Sequence, residues 1–449
     1  MNAPPVIVIG NGIAGVSFAR NFRKKSSKPI LIISKETPYF FSRTAIMYVY
    51  MGHLRWEDTQ PYENTFWKKN KLDLLQGTVT QINPKEKNIR LSDKSILYYD
   101  SLIIATGSIP NKFGWPGENL KGVQGLYSKQ DLDSLEDYSP STNEAVIVGG
   151  GLIGVELAEM LHSRGKKVTF LVRENSFWNN VLPKEESKLI NQHLLEHVID
   201  LRLNTNLSEI IEDEIGRVKA IRTDSGEIIN CQFVGLTTGV RPNIDFIKNT
   251  DIATNRGILV NKYLETNQNS IYAIGDCSEQ QEPQTGRRSI EAVWYTGRMM
   301  GETLAQTLTG NKKAYNPGHW FNSAKFFDIE YQTYGLVAAQ PTKPEKHFHW
   351  KHPNENVAIT LAYDENTKKF LGINTFGIRM RHELLDKILC EKKSVFCMIE
   401  QLANCNFDPE FFKTYEKKIL LKFNQDFNTN IKLKKKSWKV IFNNIILKL

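Results

Sequence analysis

Two glycine-rich turns are the residues of this chain best suited to chemistry. Each follows the spacing G-x-G-x-x-G, with glycines at Gly10, Gly12 and Gly15 and again at Gly149, Gly151 and Gly154. In such a turn the first glycine allows a tight bend, the second lets the backbone approach a pyrophosphate, and the third lets a helix pack on a strand. Free N–H groups at the start of that helix then attract the phosphates.

The elements around both turns have the required order. An aliphatic run at residues 6–9 precedes the first turn, another at residues 145–148 precedes the second, and a helix-like pattern follows each. One such turn is weak evidence, but two of them with strand and helix in place predict that the chain holds two dinucleotides. A protein that binds two dinucleotides usually passes electrons between them.

The rest of the chain indicates an internal repeat and a third region. Apolar runs at residues 102–107 and 233–239 end in ATG and TTG, which suggests one nucleotide-binding unit inside another. A buried strand is predicted at residues 271–276, and a helix from about Ile290. A composition shift near residues 316–318 opens a region of strands at 347–350, 358–362 and 370–376.

Composition excludes several classes of function. Most of the net charge of +9 lies in residues 411–449, which contain ten lysines and only two acidic residues, Glu416 and Asp426. The remaining residues are nearly neutral, which argues against a nucleic-acid-binding surface on the main domains. The five cysteines form no C-x-x-C pair, which fits free thiols in a reducing compartment. With no leader and no bilayer-spanning run evident, we expect a cytoplasmic protein.

The order of these motifs resembles the two-dinucleotide-binding flavoproteins, the FAD-dependent pyridine nucleotide oxidoreductases. Over roughly residues 5–380 it is most similar to the branch of ferredoxin and rubredoxin reductases and apoptosis-inducing factor. The resemblance implies an α/β fold with two nested Rossmann-like domains and a C-terminal α+β interface domain. The implied divisions are an FAD domain at 1–113 and 248–318, an NAD(P)H domain at 114–247, an interface domain at 319–410, and a basic amphipathic tail at 411–449.

The resemblance also assigns residues to the FAD. The first glycine turn would hold the pyrophosphate, and Glu36 would accept hydrogen bonds from the adenosine ribose hydroxyls. Arg43, in the segment FSR, matches the segment beside the isoalloxazine ring.

Further FAD contacts are implied at the ends of later strands. Thr106 and Gly107 lie at the ATG that crosses close to FAD, and we expect Gly239, in the corresponding TTG, to contact a cofactor as well. Asp276 would bond a ribitol hydroxyl. Trp294 and the helix after it would lie under the pyrimidine end of the flavin, where a helix N-terminus stabilises negative charge; the alternative is an ordinary core tryptophan.

The nicotinamide substrate is either NADPH or NADH. Arg173 falls where NADPH-using members have arginine, and Val172 falls where NADH users have glutamate, although Glu174 lies beside the arginine. An arginine suits the 2′-phosphate of NADPH, so the sequence favours NADPH.

The departures from the family pattern are also informative. No cysteine precedes Cys231, so the redox-active disulfide of some branches is missing. Tyr48 lies near the place of a family lysine, and Glu156 matches the glutamate that pairs with it. Glu156 therefore either finds another partner or is protonated near the flavin, which makes it the candidate catalytic residue.

Two further histidine-containing segments are interpreted as structural rather than as metal sites. The three histidines of residues 346–352 are expected on a strand, the pair Glu196 and His197 on a helix surface, and no metal site is predicted. In residues 431–449, lysines precede apolar residues at helical spacing, which is typical of a helix on an anionic membrane surface. The alternative is a helix docked on the interface domain or on the partner of a homodimer.

Together these features predict an oxidoreductase that passes a hydride from NAD(P)H to FAD and electrons to a small iron–sulfur protein, a ferredoxin or rubredoxin. One alternative is an NADH:quinone oxidoreductase held at the inner face of the membrane by the tail. Another is a flavoprotein with a mainly structural or signalling role.

Overall fold

A computed structural model describes residues 4–407 and 409–434 of the chain. The chain forms two compact units. The first contains the residues up to Leu171 together with Thr205–Pro317, and the second contains Val172–Asn204 together with the residues from Gly318 onward.

Both units mix strands and helices. The strands of the described residues are β1 Val6–Ile9, β2 Ile30–Ser34, β3 Asp73–Gln76, β4 Val79–Asn83, β5 Asn88–Leu91, β6 Ile96–Tyr98, β7 Ser101–Ile104, β8 Ser108–Pro110, β9 Val123–Gln124, β10 Glu144–Val148, β11 Lys167–Val172, β12 Asp200–Leu203, β13 Leu207–Glu212, β14 Val218–Thr223, β15 Ile228–Asn230, β16 Phe233–Leu236, β17 Val240–Pro242, β18 Ile258–Val260, β19 Ile271–Ala273, β20 Ser278–Gln280, β21 Phe321–Phe326, β22 Ile329–Gly335, β23 Glu345–Lys351, β24 Ala358–Asp364 and β25 Phe370–Phe376. The α-helices are α1 Ile13–Arg23, α2 Ile46–Tyr50, α3 Asn64–Lys69, α4 Lys129–Tyr138, α5 Leu152–Ser163, α6 Lys184–Glu196, α7 Trp294–Leu308, α8 His382–Cys390, α9 Val395–Glu400, α10 Leu402–Cys405 and α11 Glu416–Phe427.

A parallel sheet of order β19-β7-β1-β2-β3 forms the centre of the first unit. All four residues of β1 are buried, as expected for a parallel strand covered on both faces. Helix α1 leaves β1 through the first glycine turn and packs against α7. The carboxyl ends of these strands therefore meet at one edge, where α/β proteins usually bind their ligands.

The same plan is repeated within the first unit. Strands β11, β10, β16 and β9 form a second parallel sheet, and α5 leaves β10 through the second glycine turn. An antiparallel three-stranded sheet precedes the closing strand in each case, β4-β5-β6 before β7 and β13-β14-β15 before β16. Strands β8 and β17 pair antiparallel where the chain passes between the two sheets. The predicted repeat of a nucleotide-binding fold is confirmed.

The second unit is built on an antiparallel sheet of order β21-β22-β25-β24-β23. Buried side chains of its helices, such as Leu385 in α8, Met398 in α9 and Phe423 in α11, share one core with the sheet. The second unit begins at Gly318, next to the predicted start of the interface domain, but it also includes Val172–Asn204. The three-domain division of the chain stays a prediction.

The predicted C-terminal strands are confirmed with small changes of boundary, but the helix expected from about Ile290 begins at Trp294. Arg287 and Glu291 form a buried ion pair at 2.5 Å, and the Thr296 hydroxyl donates to the Glu291 carbonyl. These contacts hold the preceding segment as a loop.

The basic tail is described as far as residue 434. Helix α11 and the residues after it belong to this part, whereas most of the predicted membrane-surface segment, residues 431–449, lies outside the described residues. Among the described residues, no helix combines the length and the apolar character needed to cross a bilayer.

Candidate active site

The first glycine turn leaves open space at one of its three glycines. Gly10 has a φ of +113°, and a Cβ there would lie 2.1 Å from the Ala105 carbonyl oxygen; a Cβ at Gly15 would lie 2.1 Å from the Gly10 oxygen. A Cβ at Gly12 would meet no atom within 4 Å. Gly12 is also the N-cap of α1, whose first turn has no acidic residue. The turn therefore offers N–H groups and space to a pyrophosphate.

The second glycine turn has the same geometry. Gly149 has a φ of +115°, and a Cβ there would lie 2.7 Å from the Thr237 oxygen; a Cβ at Gly154 would lie 2.7 Å from the Gly149 oxygen. Gly151, the N-cap of α5, again has nothing within 4 Å of its missing Cβ. The cradle therefore fits a second dinucleotide.

Glu36 and Arg43 form one ion pair beside the first turn. The two Arg43 N–H groups donate to the two Glu36 oxygens at 2.8 and 2.6 Å, and the Lys129 backbone N–H donates to Glu36 at 2.9 Å. The Arg43 guanidinium also lies over the Tyr127 ring, 4.4 Å from its centre. Sequence reasoning placed these two residues at opposite ends of the FAD, whereas the structure brings them together.

Asp276 and its partner Ser108 lie at the carboxyl edge of the first sheet. The Ser108 hydroxyl donates to Asp276 Oδ2 at 3.0 Å, and the Ser108 backbone N–H donates to the Tyr127 hydroxyl oxygen at 2.9 Å. Burial raises the pKa of the Asp276 carboxyl, opposed by the hydrogen bond from Ser108. Ser108 directly follows the ATG motif, so its position in the sequence could have indicated a role beside the FAD. Nothing in the local sequence indicated Tyr127.

The backbone crossings at ATG and TTG are tightly held. The Thr106 hydroxyl donates to the Asn243 carbonyl at 2.8 Å, and Gly107, with a φ of +66°, has the Tyr127 hydroxyl 2.8 Å from its missing Cβ. Gly239 has a φ of +92°, and its carbonyl accepts the Asn111 N–H at 3.0 Å. The Thr106 hydroxyl is thus used in a hydrogen bond within the protein. At this crossing a ligand would therefore be contacted by backbone atoms rather than by the threonine side chain.

Trp294, the first residue of α7, is 41% exposed and is not a core tryptophan. Its helix approaches α1 closely, because a Cβ on Gly301 would lie 2.4 Å from the Ala14 oxygen and one on Gly297 would lie 3.5 Å from the Ala14 Cβ. This packing places the N-terminal part of α7 beside the helix that begins at the first glycine turn.

Glu156 lies on α5, which packs against α2, the helix of Tyr48. Arg164, just after α5, donates to the Tyr50 carbonyl at 2.8 Å and so reinforces this contact. No described lysine, arginine or histidine lies within ion-pair distance of Glu156. Burial, with a smaller contribution from the charge of Glu159, raises the pKa of the Glu156 carboxyl to about 7. A carboxyl that is protonated near neutral pH is the second of the two alternatives expected from the sequence.

Arg173, the residue expected to choose between NADPH and NADH, is an exposed side chain of the second unit. Its Nε donates to Glu174 at 2.6 Å, and 77% of the side chain is exposed. The guanidinium is thus within reach of solutes, although it shares its charge with the neighbouring carboxylate.

Of the five cysteines, the one beside Asp276 is a poor candidate for thiol chemistry. All five are free, and Cys277, next to Asp276, is buried with its thiol donating to the Ile104 and Ile274 carbonyls. Burial raises the pKa of Cys277. A thiol of raised pKa is a poor nucleophile at neutral pH.

The chain is similar in sequence and in fold to several known reductases. Rhodocoxin reductase of Rhodococcus erythropolis is 27% identical, covering 90% of this chain and 93% of the relative. NADH-rubredoxin oxidoreductase of Clostridium acetobutylicum is 30% identical, covering 62% and 69% respectively. A solved ferredoxin reductase from Rhodopseudomonas palustris has the same fold, with a TM-score of 0.80 at 22% identity, covering 87% of this chain and 95% of that structure.

Residues 4–301 match the profile of one family, described as pyridine nucleotide-disulphide oxidoreductases. Two open glycine cradles, each between a parallel strand and a helix, fit the cofactor FAD and the substrate NAD(P)H of these enzymes. The chain belongs to the pyridine nucleotide-disulphide oxidoreductase family, as an FAD-dependent enzyme that uses NAD(P)H.

Proposed function

We propose that this chain oxidises NAD(P)H and passes the electrons, through FAD, to a small iron–sulfur protein of the ferredoxin or rubredoxin type. The observation that carries the proposal is the combination of two dinucleotide cradles with one buried thiol of raised pKa, Cys277, which lies next to Asp276. An enzyme without a redox-active disulfide has to deliver electrons directly from its flavin to the acceptor. The names of the relatives, a rhodocoxin reductase and a rubredoxin oxidoreductase, support this class of acceptor.

The chain's own share of the reaction is binding and alignment. Bound FAD supplies a ring that accepts a hydride and can release electrons singly. Gly12 and Gly151 let the N-termini of α1 and α5 approach the two pyrophosphates, whose charge the free N–H groups stabilise.

Two pairs of residues would fix the FAD along the edge of the first sheet. Glu36 would accept the ribose hydroxyls, and Arg43, held on Glu36 by two hydrogen bonds, would act at the same adenosine end rather than beside the ring. Asp276, oriented by Ser108, would accept a ribitol hydroxyl. Backbone groups of Thr106, Gly107 and Gly239 would line the cofactors, and the exposed Trp294 would cover the pyrimidine end.

Glu156 would hold a proton close to the reacting rings. Because its pKa is raised to about 7, the carboxyl is partly protonated at neutral pH and adds less negative charge near a reduced flavin than an ordinary glutamate would. In the family pattern a lysine would neutralise this glutamate. Here, with Tyr48 near the place of that lysine, partial protonation of Glu156 would lower the negative charge instead.

The acceptor is tested by turnover under anaerobic conditions with a ferredoxin, a rubredoxin, a soluble quinone and a coenzyme A disulfide. We expect NAD(P)H to bleach the flavin absorbance, and the iron–sulfur proteins to reoxidise it faster than the quinone or the disulfide. Faster turnover with the quinone would overturn the proposed acceptor, and failure to bleach would favour a structural or signalling role. A Cys277→Ser variant is the control, because its iron–sulfur turnover should stay unchanged.

Arg173 provides a test of the nicotinamide preference. An exposed arginine at the 2′ position contributes one charge-assisted hydrogen bond to a phosphate, so Arg173→Gln should lower kcat/KM for NADPH by about tenfold and leave NADH nearly unaffected. Arg202→Gln is the matched control, since Arg202 is also exposed and paired with a nearby acid, Asp200. Equal losses with both nicotinamides would mean that Arg173 does not contact the 2′-phosphate.

A further inference from the structure

Two histidines and an aspartate of the second unit bring three metal-ligating atoms together. His193 Nε2 lies 2.8 Å from Asp328 Oδ1, and His197 Nε2 lies 3.7 Å from the same oxygen. The three ligand atoms all lie within 4.8 Å of one another. Ligand atoms bound to a tetrahedral zinc ion at about 2.0–2.2 Å are separated by roughly 3.3–3.6 Å, and the spacings of 2.8 and 3.7 Å lie on either side of this range.

The local structure explains how the three side chains meet. His193, on α6, and His197, just after it, lie four positions apart in the sequence. They therefore share one face of the helix, with ring centres 4.4 Å apart. Asp328 lies in the two-residue turn between β21 and β22, where Phe327 has a φ of +55°. The Phe327 ring packs on the His197 ring at 4.4 Å and closes the apolar side of the cluster.

A hydrogen bond of His197 to its own helix orients the imidazole and indicates its tautomer. His197 Nδ1 lies 3.0 Å from the His193 carbonyl oxygen, which only accepts, so Nδ1 has the proton and Nε2 has the lone pair. Metal-bound histidines commonly donate their other N–H to a backbone carbonyl in this way. His197 Nε2 faces Asp328 in the form that a metal ion requires.

His193 can adopt the same form by moving one proton. Its Nε2 lies 3.1 Å from the Phe326 carbonyl as well as near Asp328, so without a metal this nitrogen has the proton. Without a metal its Nδ1 accepts from the Asn356 amide at 3.2 Å, with the Glu196 carboxylate at 3.7 Å. Rotation of the Asn356 amide would present its oxygen to Nδ1, which can then hold the proton once Nε2 binds a cation.

We propose that His193, His197 and Asp328 bind one Zn²⁺ ion, with water in the fourth position, and that the ion clamps α6 to the β21–β22 turn. Two imidazoles and a carboxylate are ligands that suit zinc. Asp328 is 77% exposed, so the ion can enter from solvent. None of the three residues belongs to a glycine cradle. The ion would therefore be a structural metal, distinct from the cofactors of the proposed function.

A second cluster in the same unit is the main competitor for the metal. His319 Nδ1 lies 2.9 Å from Asp386 Oδ1, and Cys390 Sγ lies 3.9 Å from His319 Nδ1. The Cys390 thiol donates to Asp386 Oδ2 at 3.8 Å, so this cluster has to release the thiol proton before the sulfur binds zinc. The imidazoles of the α6 pair need no such step, which makes that pair the stronger site.

The test titrates zinc into the metal-free holoenzyme by calorimetry. We expect one zinc ion per chain for the unmodified protein, a raised thermal midpoint, and an affinity lower by about 10- to 100-fold or more in His197→Gln and in Asp328→Asn. Asp328 lies in an exposed turn, so Asp328→Asn keeps the fold even where the helix variant does not. Cys390→Ser should bind zinc as the unmodified protein does.

Substitution with Co²⁺ separates the two clusters, because only ligation by Cys390 produces a thiolate charge-transfer band. Absence of zinc uptake, loss of uptake in Cys390→Ser, or unchanged uptake in both His197→Gln and Asp328→Asn would each overturn the proposal. FAD content and NAD(P)H turnover should be equal in all variants, so a failure of the proposed electron acceptor is recognised separately.

Discussion

A methyl group added at Gly12 would meet no protein atom within 4 Å, and the same holds at Gly151. In the folded chain, Gly12→Ala should therefore cost only the weaker N-cap of α1, about 1 kcal/mol or less. The methyl group would instead occupy the space of the FAD pyrophosphate. We expect FAD affinity to fall about 10- to 100-fold, from an overpacking cost of about 1–3 kcal/mol, as measured by flavin fluorescence.

Gly151→Ala is the matched variant in the second cradle, with the same N-cap position and the same open space. It should retain FAD and raise the KM for NAD(P)H. If both variants lost FAD equally, the assignment of one cradle to each dinucleotide would be wrong.

The raised pKa of Glu156 predicts a pH-dependent stability. Its folded-state pKa of about 7 lies above its ordinary value of 4.5, so between these values the folded protein keeps a proton that the unfolded chain releases. The free energy of unfolding should therefore decrease as the pH rises from about 4.5 through about 7. Glu156→Gln, which cannot ionise, should match the unmodified protein at pH 4.5 and exceed it by roughly 3 kcal/mol at pH 9.

Urea unfolding of both proteins at the two pH values measures this difference, and a gap that does not change with pH would contradict it. Glu186 is the control residue, because burial also raises its pKa to about 7 and it lies in the second unit, bonded to Asn374. Glu186→Gln should show a similar pH dependence of stability without altering the rate of flavin reduction by NAD(P)H.

At the scale of elements, local patterns predicted more than long-range contacts did. The glycine turns, β1, β10 and three strands of the last sheet, β23, β24 and β25, follow from alternation, apolar runs and spacing within a few residues. The other two strands of that sheet, β21 and β22, were not predicted. The start of α7 was missed by four residues because a buried ion pair, Arg287 with Glu291, holds the chain before it as a loop.

The site contacts that the sequence did not predict are all between segments that are distant along the chain or brought together by loops. The pairing of Arg43 with Glu36 depends on how a loop folds back, and Tyr127 reaches Ser108 from the loop before α4. Asp328 meets His193 only because the fold joins segments more than a hundred residues apart. No spacing rule in a single sequence encodes such contacts.

The close packing of α7 on α1 predicts opposite effects for two similar substitutions. A Cβ at Gly301 would lie 2.4 Å from the Ala14 oxygen and 2.8 Å from the Phe18 nitrogen, both backbone atoms that cannot move away. Gly301→Ala should lower the free energy of unfolding by about 1–3 kcal/mol. At Gly297 the nearest atoms are side-chain carbons at 3.4 and 3.5 Å, so Gly297→Ala should be neutral or stabilise the helix by up to about 1 kcal/mol.

Chemical unfolding of the two variants without added FAD measures the packing alone. A loss of stability in Gly297→Ala as large as in Gly301→Ala would show that helix contact is not what distinguishes these glycines.

At the scale of the whole molecule, the basic tail has two explanations, docking on the protein and binding to a membrane. Contacts of the residues up to 434 bear on the first of them. Ile419 and Phe423 of α11 are buried in the core of the second unit, and Ile431 and Leu433 pack on the same core. The Lys434 N–H donates to the Glu400 carbonyl at 2.8 Å. Docking thus accounts for the tail up to this point, and the membrane hypothesis rests on residues 435–449.

Deletion of residues 435–449 removes four lysines together with the apolar positions from Trp438 to Leu449, and no residue of the described core. Turnover and stability should therefore be unchanged. Binding to anionic vesicles at low salt should weaken by roughly 1,000-fold or more, since four lysines near a charged surface contribute about 1 kcal/mol each in addition to the apolar contact. Co-sedimentation with phosphatidylserine vesicles measures this, with neutral vesicles and high salt as controls. If the full chain stays in the supernatant and the deletion changes its oligomeric state instead, the segment serves a second copy of the protein rather than a membrane.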